Sequence, residues 1–342
     1  MPIAYVSPFT NTTNEYINRV KSIVGSCGYE VQPLSFRTLL SRRVFGLFDR
    51  RNVVLVHWLE SRIFTDGRSR PEVSASGVLQ FLVYLFFLAV MRARFMYFMH
   101  DHAVHDVTGW RRGLSVAVIK LLARLADVRV VHDPSYCDKY DATYLPHPLY
   151  RDGFGAGADF GREKSGFQAG VLGALRPYKR IEKLIDAWPK DAALLIRGRA
   201  DPKYADIIKH RIEARSDKDC FQLMVGFMSR EDFEAALGGL DALILPHSDE
   251  SALVSGAFFE AIGAVPFVIA RKSPFIVWAS EKFDGVYAFE TEAELAEVVK
   301  VAMTHTVEQR AKLPQLASLA ESHFGYASCV RLYGDVLRVL QN

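Results

Sequence analysis

Short β-branched and aromatic runs alternate along this chain with stretches whose apolar residues recur every three or four positions, and the connections between them are short. A chain written this way folds as parallel strands with helices returning between them, because each strand must be entered from the same end and both sheet faces are then covered. Strands are expected at 3–6, 29–34, 52–58, 95–99 and 128–131. Between them, residues 14–25 put Tyr16, Ile17, Val20, Ile23 and Val24 on one helical face, and further helices are expected near 77–93 and 112–126. Residues 151–165 break the rhythm with four glycines, scattered charges and no apolar period, as a linker does. The alternation then resumes, with strands at 168–172, 193–196, 221–225, 242–245, 266–269 and 285–288. Helices are expected at 181–188, 203–214, 230–238, 256–263, 292–303 and 326–341. The expected fold is α/β, with two parallel-sheet domains, 1–155 and 156–325, facing a cleft, followed by a closing helical segment, 326–342.

A length of 342 residues, half of them hydrophobic, suits two packed cores and excludes wholesale disorder. The four cysteines lie far apart with no CxxC pair, which reads as buried small side chains in a reducing compartment, with no structural zinc site. The first residues lack the basic and apolar regions of a secretory signal. The longest apolar run, 78–91, makes only about 21 Å of helix against a hydrocarbon core of ~30 Å. The expectation is therefore a cytoplasmic protein with a buried or membrane-contacting helix. Residues 1–150 carry 18 Lys and Arg against 12 Asp and Glu, and the rest carry 24 against 27. An arginine-rich first half suits an anionic partner, or is a solvated surface.

Ligands of such sheets bind outside the carboxyl ends of the strands, so the residues just after each strand are the informative ones. After 168–172 comes Gly173-Ala174-Leu175-Arg176-Pro177-Tyr178-Lys179. Arg176 and Lys179, three apart, supply a planar fork and a point charge, which together suit a diphosphate; a basic surface turn is the bland alternative. After 242–245, Ser255-Gly256 opens an apolar helix whose free N–H groups suit a phosphate. Glu260 sits within that helix between Phe259 and Ala261 and needs a partner; a ribose diol, with two hydroxyl donors, is one match. No GxGxxG follows any strand, which argues against a dehydrogenase.

RPYK after the first strand of the second half, then a Ser-Gly helix start with Glu five positions after the Ser, resembles the nucleotide-sugar site of GT-B glycosyltransferases, the group 1 or GT4-like class. The nearest likeness is to bacterial xanthan-type exopolysaccharide mannosyltransferases. The resemblance implies two Rossmann-like domains, with the last helix packing back on the first. It implies a nucleoside-diphosphate sugar as co-substrate, GDP-mannose first and a UDP-sugar second, no metal cofactor, and Gly173, Arg176, Lys179, Ser255, Gly256 and Glu260 as donor ligands. One departure stands out. The family's first glutamate, eight residues before the second, is Ala252 here, with only Asp249 and Glu250 nearby. That favours the divergent branch, where inverting chemistry is expected. The alternatives are a catalytically silent scaffold subunit of the same fold, or a sugar-nucleotide epimerase or hydrolase.

After 95–99, His100-Asp101-His102-Ala103-Val104-His105-Asp106 packs three histidines and two aspartates into seven residues. A metal site is one reading and loop capping another. An inverting transfer also needs a base for the acceptor hydroxyl, and Asp106, His105 and Asp101 are the candidates. In the look-alike proteins a similar histidine and acid segment stands here. Asn11 and Thr12 after the first strand, and His57, Trp58 and Glu60 closing the third, are expected to border the acceptor; helix capping and packing are their structural alternatives. The resemblance implies a polyprenyl-diphosphate-linked glycan as acceptor and the inner face of an anionic membrane as its location, where a basic, partly apolar first domain could rest as a peripheral protein of exopolysaccharide biosynthesis. No nucleic-acid partner is expected.

Overall fold

A computed structural model describes residues 1–10, 15–65, 71–151, 166–246 and 253–341. Asn11 and Thr12, most of the 151–165 linker, and Asp249, Glu250 and Ala252 lie outside the described residues. The chain divides into two compact units. One comprises Met1–Tyr150, Glu250–Ser255 and His323–Asn342, the other Arg151–Asp249 and Gly256–Ser322. Each is built on a six-stranded sheet in which every neighbouring pair is parallel. The fold is the α/β arrangement that the alternation requires.

The first sheet contains β1 (Ile3–Ser7), β2 (Glu30–Pro33), β3 (Val53–His57), β4 (Arg94–Met99), β5 (Val128–Val131) and β6 (Thr143–Tyr144), in the order β2-β1-β3-β4-β5-β6. All five residues of β3 are buried, as expected of a central parallel strand covered on both faces. Helix Tyr16–Ser26 buries the five side chains read from its periodicity. The last helix, Tyr326–Gln341, groups with this unit and buries Cys329, Tyr333, Leu337 and Leu340. Its Tyr326 hydroxyl reaches Ser22 Oγ at 2.9 Å and Ser26 Oγ at 2.7 Å.

The second sheet contains β7 (Gln168–Leu172), β8 (Ala193–Gly198), β9 (Phe221–Val225), β10 (Ala242–Leu245), β11 (Phe267–Arg271) and β12 (Val286–Phe289), in the order β12-β11-β10-β7-β8-β9. The strand order reverses between β1 and β3 in the first sheet and between β7 and β10 in the second. In open α/β sheets those reversals open the crevices that take ligands.

Several elements differ from expectation, among them the two-residue edge strand β6 and the short helices Phe36–Leu39 and Cys137–Tyr140, which are too brief to show a period in sequence. The helix expected at 292–303 continues as Glu292–Phe324. Polar Thr306 and Gln309 interrupt its apolar period in sequence, yet both are buried, and the Thr306 hydroxyl is satisfied by donating to Ala302 O at 2.7 Å. Pro314, a stop signal by itself, lies inside the helix. Helix Pro274–Lys282 was not anticipated, although Ser273 caps it by accepting from Ile276 N and Pro274 opens it, which together form a legible start signal. Among the described residues no helix is long and apolar enough to cross a membrane.

Candidate functional site

In the second unit, β7 and β10 are hydrogen-bonded neighbours with Ala242 opposite Ala169 and Leu243 opposite Gly170. The loops leaving Leu172 and Leu245 therefore start side by side. The first opens at Gly173, whose φ of 94° needs glycine, and it packs against Gly198, where a Cβ would stand 1.7 Å from the Gly173 carbonyl oxygen. Leu175 N then donates to Arg199 O at 2.8 Å, which holds the loop beside β8. Arg176 is exposed and begins a single 3-10 turn, Pro177–Lys179. Lys179 is partly buried. Burial, and then the neighbouring Arg176 charge, push its ammonium down to about 8. Neither cation has a carboxylate or hydrogen-bond partner for its side chain among the described residues. Two adjacent cations without an acid are a standing demand for an anion.

Gly256 opens the helix Gly256–Ala261, and Glu260 lies in its second turn with its side chain mostly buried. The need for a partner is met within the protein: Arg230 Nη1 donates to Glu260 Oε1 at 2.6 Å, while Arg230 Nε holds Glu234 at 2.6 Å. Burial raises the Glu260 carboxyl, and Arg230 and then Arg151 oppose the rise. Arg230, which opens helix Arg230–Gly238, was not singled out from sequence.

In the first unit, His57 ends β3 and His100 follows β4, with Nδ1 of the first 3.0 Å from Nε2 of the second. Trp58 adopts left-handed backbone (φ 50°), strained by about 1–2 kcal/mol for such a side chain, and its indole stacks on His100 at 4.2 Å. Tyr16 joins this group to a third histidine. His132 Nδ1 donates to Leu145 O at 2.7 Å, so its Nε2 accepts from the Tyr16 hydroxyl at 2.7 Å. A fourth, His147, packs its ring 4.7 Å from Tyr16. Burial holds all four imidazoles below their ordinary range, His132 at about 4. Sequence reading named only His57 and His100 of this cluster. His132 also follows a strand, and the same rule finds it.

Asp101, next to His100 and buried, holds His105 Nε2 at 3.0 Å from its Oδ1; His105 is nearly half exposed. Glu60 is buried and accepts from the Tyr97 hydroxyl at 2.8 Å. Its carboxyl is pushed up to about 7, chiefly by burial, with Asp101 adding to the rise. Asp101, His105 and Glu60 thus act on one another, whereas Asp106 sits exposed in left-handed backbone (φ 61°) at the end of the loop. An imidazole held by a carboxylate is the arrangement of an acid–base pair. Among the described residues no three His, Cys, Asp or Glu side chains are arranged to hold a metal ion.

No protein-family model and no curated protein sequence matches the chain. Solved structures do. HepE of Anabaena, solved with UDP, is 14% identical over 99% of this chain and 100% of its own, with a TM-score of 0.66. A glycosyltransferase of Rickettsia africae is 11% identical over 99% and 98%, with a TM-score of 0.62. The UDP-forming α,α-trehalose-phosphate synthase of Burkholderia xenovorans is 12% identical over 94% and 80%, with a TM-score of 0.56. At these identities the likeness is one of fold, and the fold is GT-B.

Proposed function

We propose that the chain is a glycosyltransferase that moves a sugar from a nucleoside-diphosphate sugar to a lipid-linked saccharide. The observation that carries this reading is the pair Arg176 and Lys179, without an acidic partner among the described residues, at the strand-order reversal of the second sheet. The donor's diphosphate belongs there, with the start of the Gly256–Ala261 helix adding N–H donors. Glu260 is the ribose ligand in this reading, with Arg230 keeping its carboxylate charged. Because HepE was solved with UDP, uridine is the first choice of base and GDP-mannose the second.

In the transfer, an acceptor hydroxyl oxygen bonds to the anomeric carbon while the bond from that carbon to the diphosphate oxygen breaks. The bonding pair leaves with the nucleoside diphosphate, whose growing charge Arg176 and Lys179 neutralise. The hydroxyl proton goes to His105, oriented by Asp101, with Asp106 as the alternative base. The exposed apolar side chains of the first unit, Leu40, Phe45 and Phe86 among them, lie in sequence beside Arg37, Arg42, Arg43 and Arg92, and this mixture supports contact with an anionic membrane surface.

A thermal-shift screen of UDP, GDP, ADP and CDP tests the reading. Stabilisation by one of them, lost in Lys179→Ala, supports it; no stabilisation by any removes it. Slow hydrolysis of the matching nucleotide sugar without acceptor separates an enzyme from a silent scaffold.

A further inference from the structure

A cavity of about 550 Å³ lies in the first unit at the reversal between β1 and β3. Its wall includes His57, Trp58, Arg62, Ser74, Ser76 and Gln80, and among the described residues that line it there is no carboxylate. That chemistry is selective. A neutral saccharide offers mostly hydroxyl donors and is best met by carboxylate acceptors, whereas a wall of one guanidinium, hydroxyls and amides suits an anion.

Arg62 is fixed without being neutralised. Its guanidinium lies over the Tyr84 ring, 5.1 Å from the centroid, and the Tyr84 hydroxyl is tied to Leu34 O at 3.2 Å. Among the described residues no acceptor takes the Arg62 donors. The start of the 16-residue helix Ala75–Val90 is seated against the same residue. A Cβ on Gly77 would come 2.1 Å from the Arg62 carbonyl oxygen, so only glycine allows the approach. Ser74 caps that start by accepting from Gly77 N at 3.2 Å, with Ser76 Oγ 3.0 Å from Ser74 Oγ. A separate observation comes from His57, which also lines the cavity. His57 is 1% exposed, its Nδ1 side is turned to His100 and Tyr16, and its Nε2 is buried without a hydrogen-bond partner. Such an atom is costly unless a ligand completes it.

The helix that starts at this cavity is also the most apolar in the first unit. Its exposed side carries Leu79, Leu82, Phe86 and Val90 beside the cavity-lining Ser76 and Gln80. We propose that the cavity binds the phosphoryl group of a lipid-borne acceptor, with Arg62 and the helix start taking the phosphate oxygens and the lipid chain running over Leu79, Leu82, Phe86 and Val90. This rests on the glycosyltransferase reading and gives its acceptor a site and an anchoring cation.

The test titrates the full chain, with UDP present, against farnesyl phosphate, farnesol and glucose 1-phosphate, following tryptophan fluorescence and heat. Farnesyl phosphate is expected to bind at least tenfold more tightly than either of the others. Arg62→Gln loses that tenfold advantage over farnesol, Arg62→Lys keeps part of it, and Phe86→Ser weakens farnesyl phosphate while leaving glucose 1-phosphate unchanged. The proposal is overturned if Arg62→Gln binds farnesyl phosphate like the wild type, or if farnesol or glucose 1-phosphate binds as tightly as farnesyl phosphate. The same titration in Lys179→Ala separates the two sites. Phosphate binding that disappears there and persists in Arg62→Gln places the anion in the second unit, sinking this proposal but not the donor reading. Absence of UDP binding in the wild type sinks the donor reading, while the Arg62 comparison still decides the cavity.

Discussion

Lys179 is held at about 8 by burial and by Arg176, well below the ordinary lysine value. A bound diphosphate favours the ammonium, so binding raises this value again. Between roughly pH 8 and 9.5, UDP binding should take up protons, read as heat that changes with the ionisation enthalpy of the buffer, and affinity should fall as pH rises through about 8. Lys179→Met should abolish the uptake and weaken UDP by about 2 kcal/mol, roughly 30-fold. Gly198→Ala acts on the same loop by sterics. The added methyl meets the Gly173 carbonyl at 1.7 Å, so a loss of about 2–4 kcal/mol in denaturant melts is expected, together with weakened UDP binding. The charges after β7 were legible in sequence because a strand end and its next residues are local features. That Arg230 reaches Glu260 across 30 positions was not, because nothing local marks a partner so distant in the chain.

At the scale of elements, helix Ala75–Val90 carries the sharpest consequence. Phe81, Tyr84 and Leu88 face the core, while Leu79, Leu82, Phe86 and Val90 face outward, so the helix is apolar nearly all round although one side meets solvent. Flotation with anionic vesicles should carry the protein at low salt and less of it at high salt. Phe86→Glu should cut the floated fraction severalfold with little change in melting temperature, since the side chain is 61% exposed. No flotation at either salt would end the membrane reading. The run 78–91 announced an apolar helix, but not which of its sides packs. Likewise Thr306 and Gln309 hid the length of Glu292–Phe324, because a buried polar side chain looks like a surface one until its partner is known.

At the scale of the whole molecule, the two units should respond differently to acid. His57, His100, His132 and His147 are neutral in the folded first unit but titrate near 6.5 when unfolded. From about 6.5 down to about 4, the value of His132, the unfolded chain binds more protons, so the stability these groups contribute is lost as pH falls. Glu60 runs the other way. Held at about 7, it keeps its proton in the fold, and its contribution declines as pH rises through that value. Four imidazoles outweigh one carboxyl, so hydrogen exchange at pH 7 and pH 5 should show β3, β4 and β5 losing protection on acidification while β7 and β10 change little. Equal loss in both units would contradict this. The α/β alternation, the strand ends and the type of side chain that follows each were readable from the residues alone, because apolar period and turn chemistry act over a few residues. It took the packed fold to bring four histidines onto Tyr16, to tie Glu260 to Arg230, and to stand Arg62 by a cavity with no carboxylate among the described residues that line it. Those meetings follow from strand order and helix seating, which are set by packing between residues tens to more than a hundred positions apart.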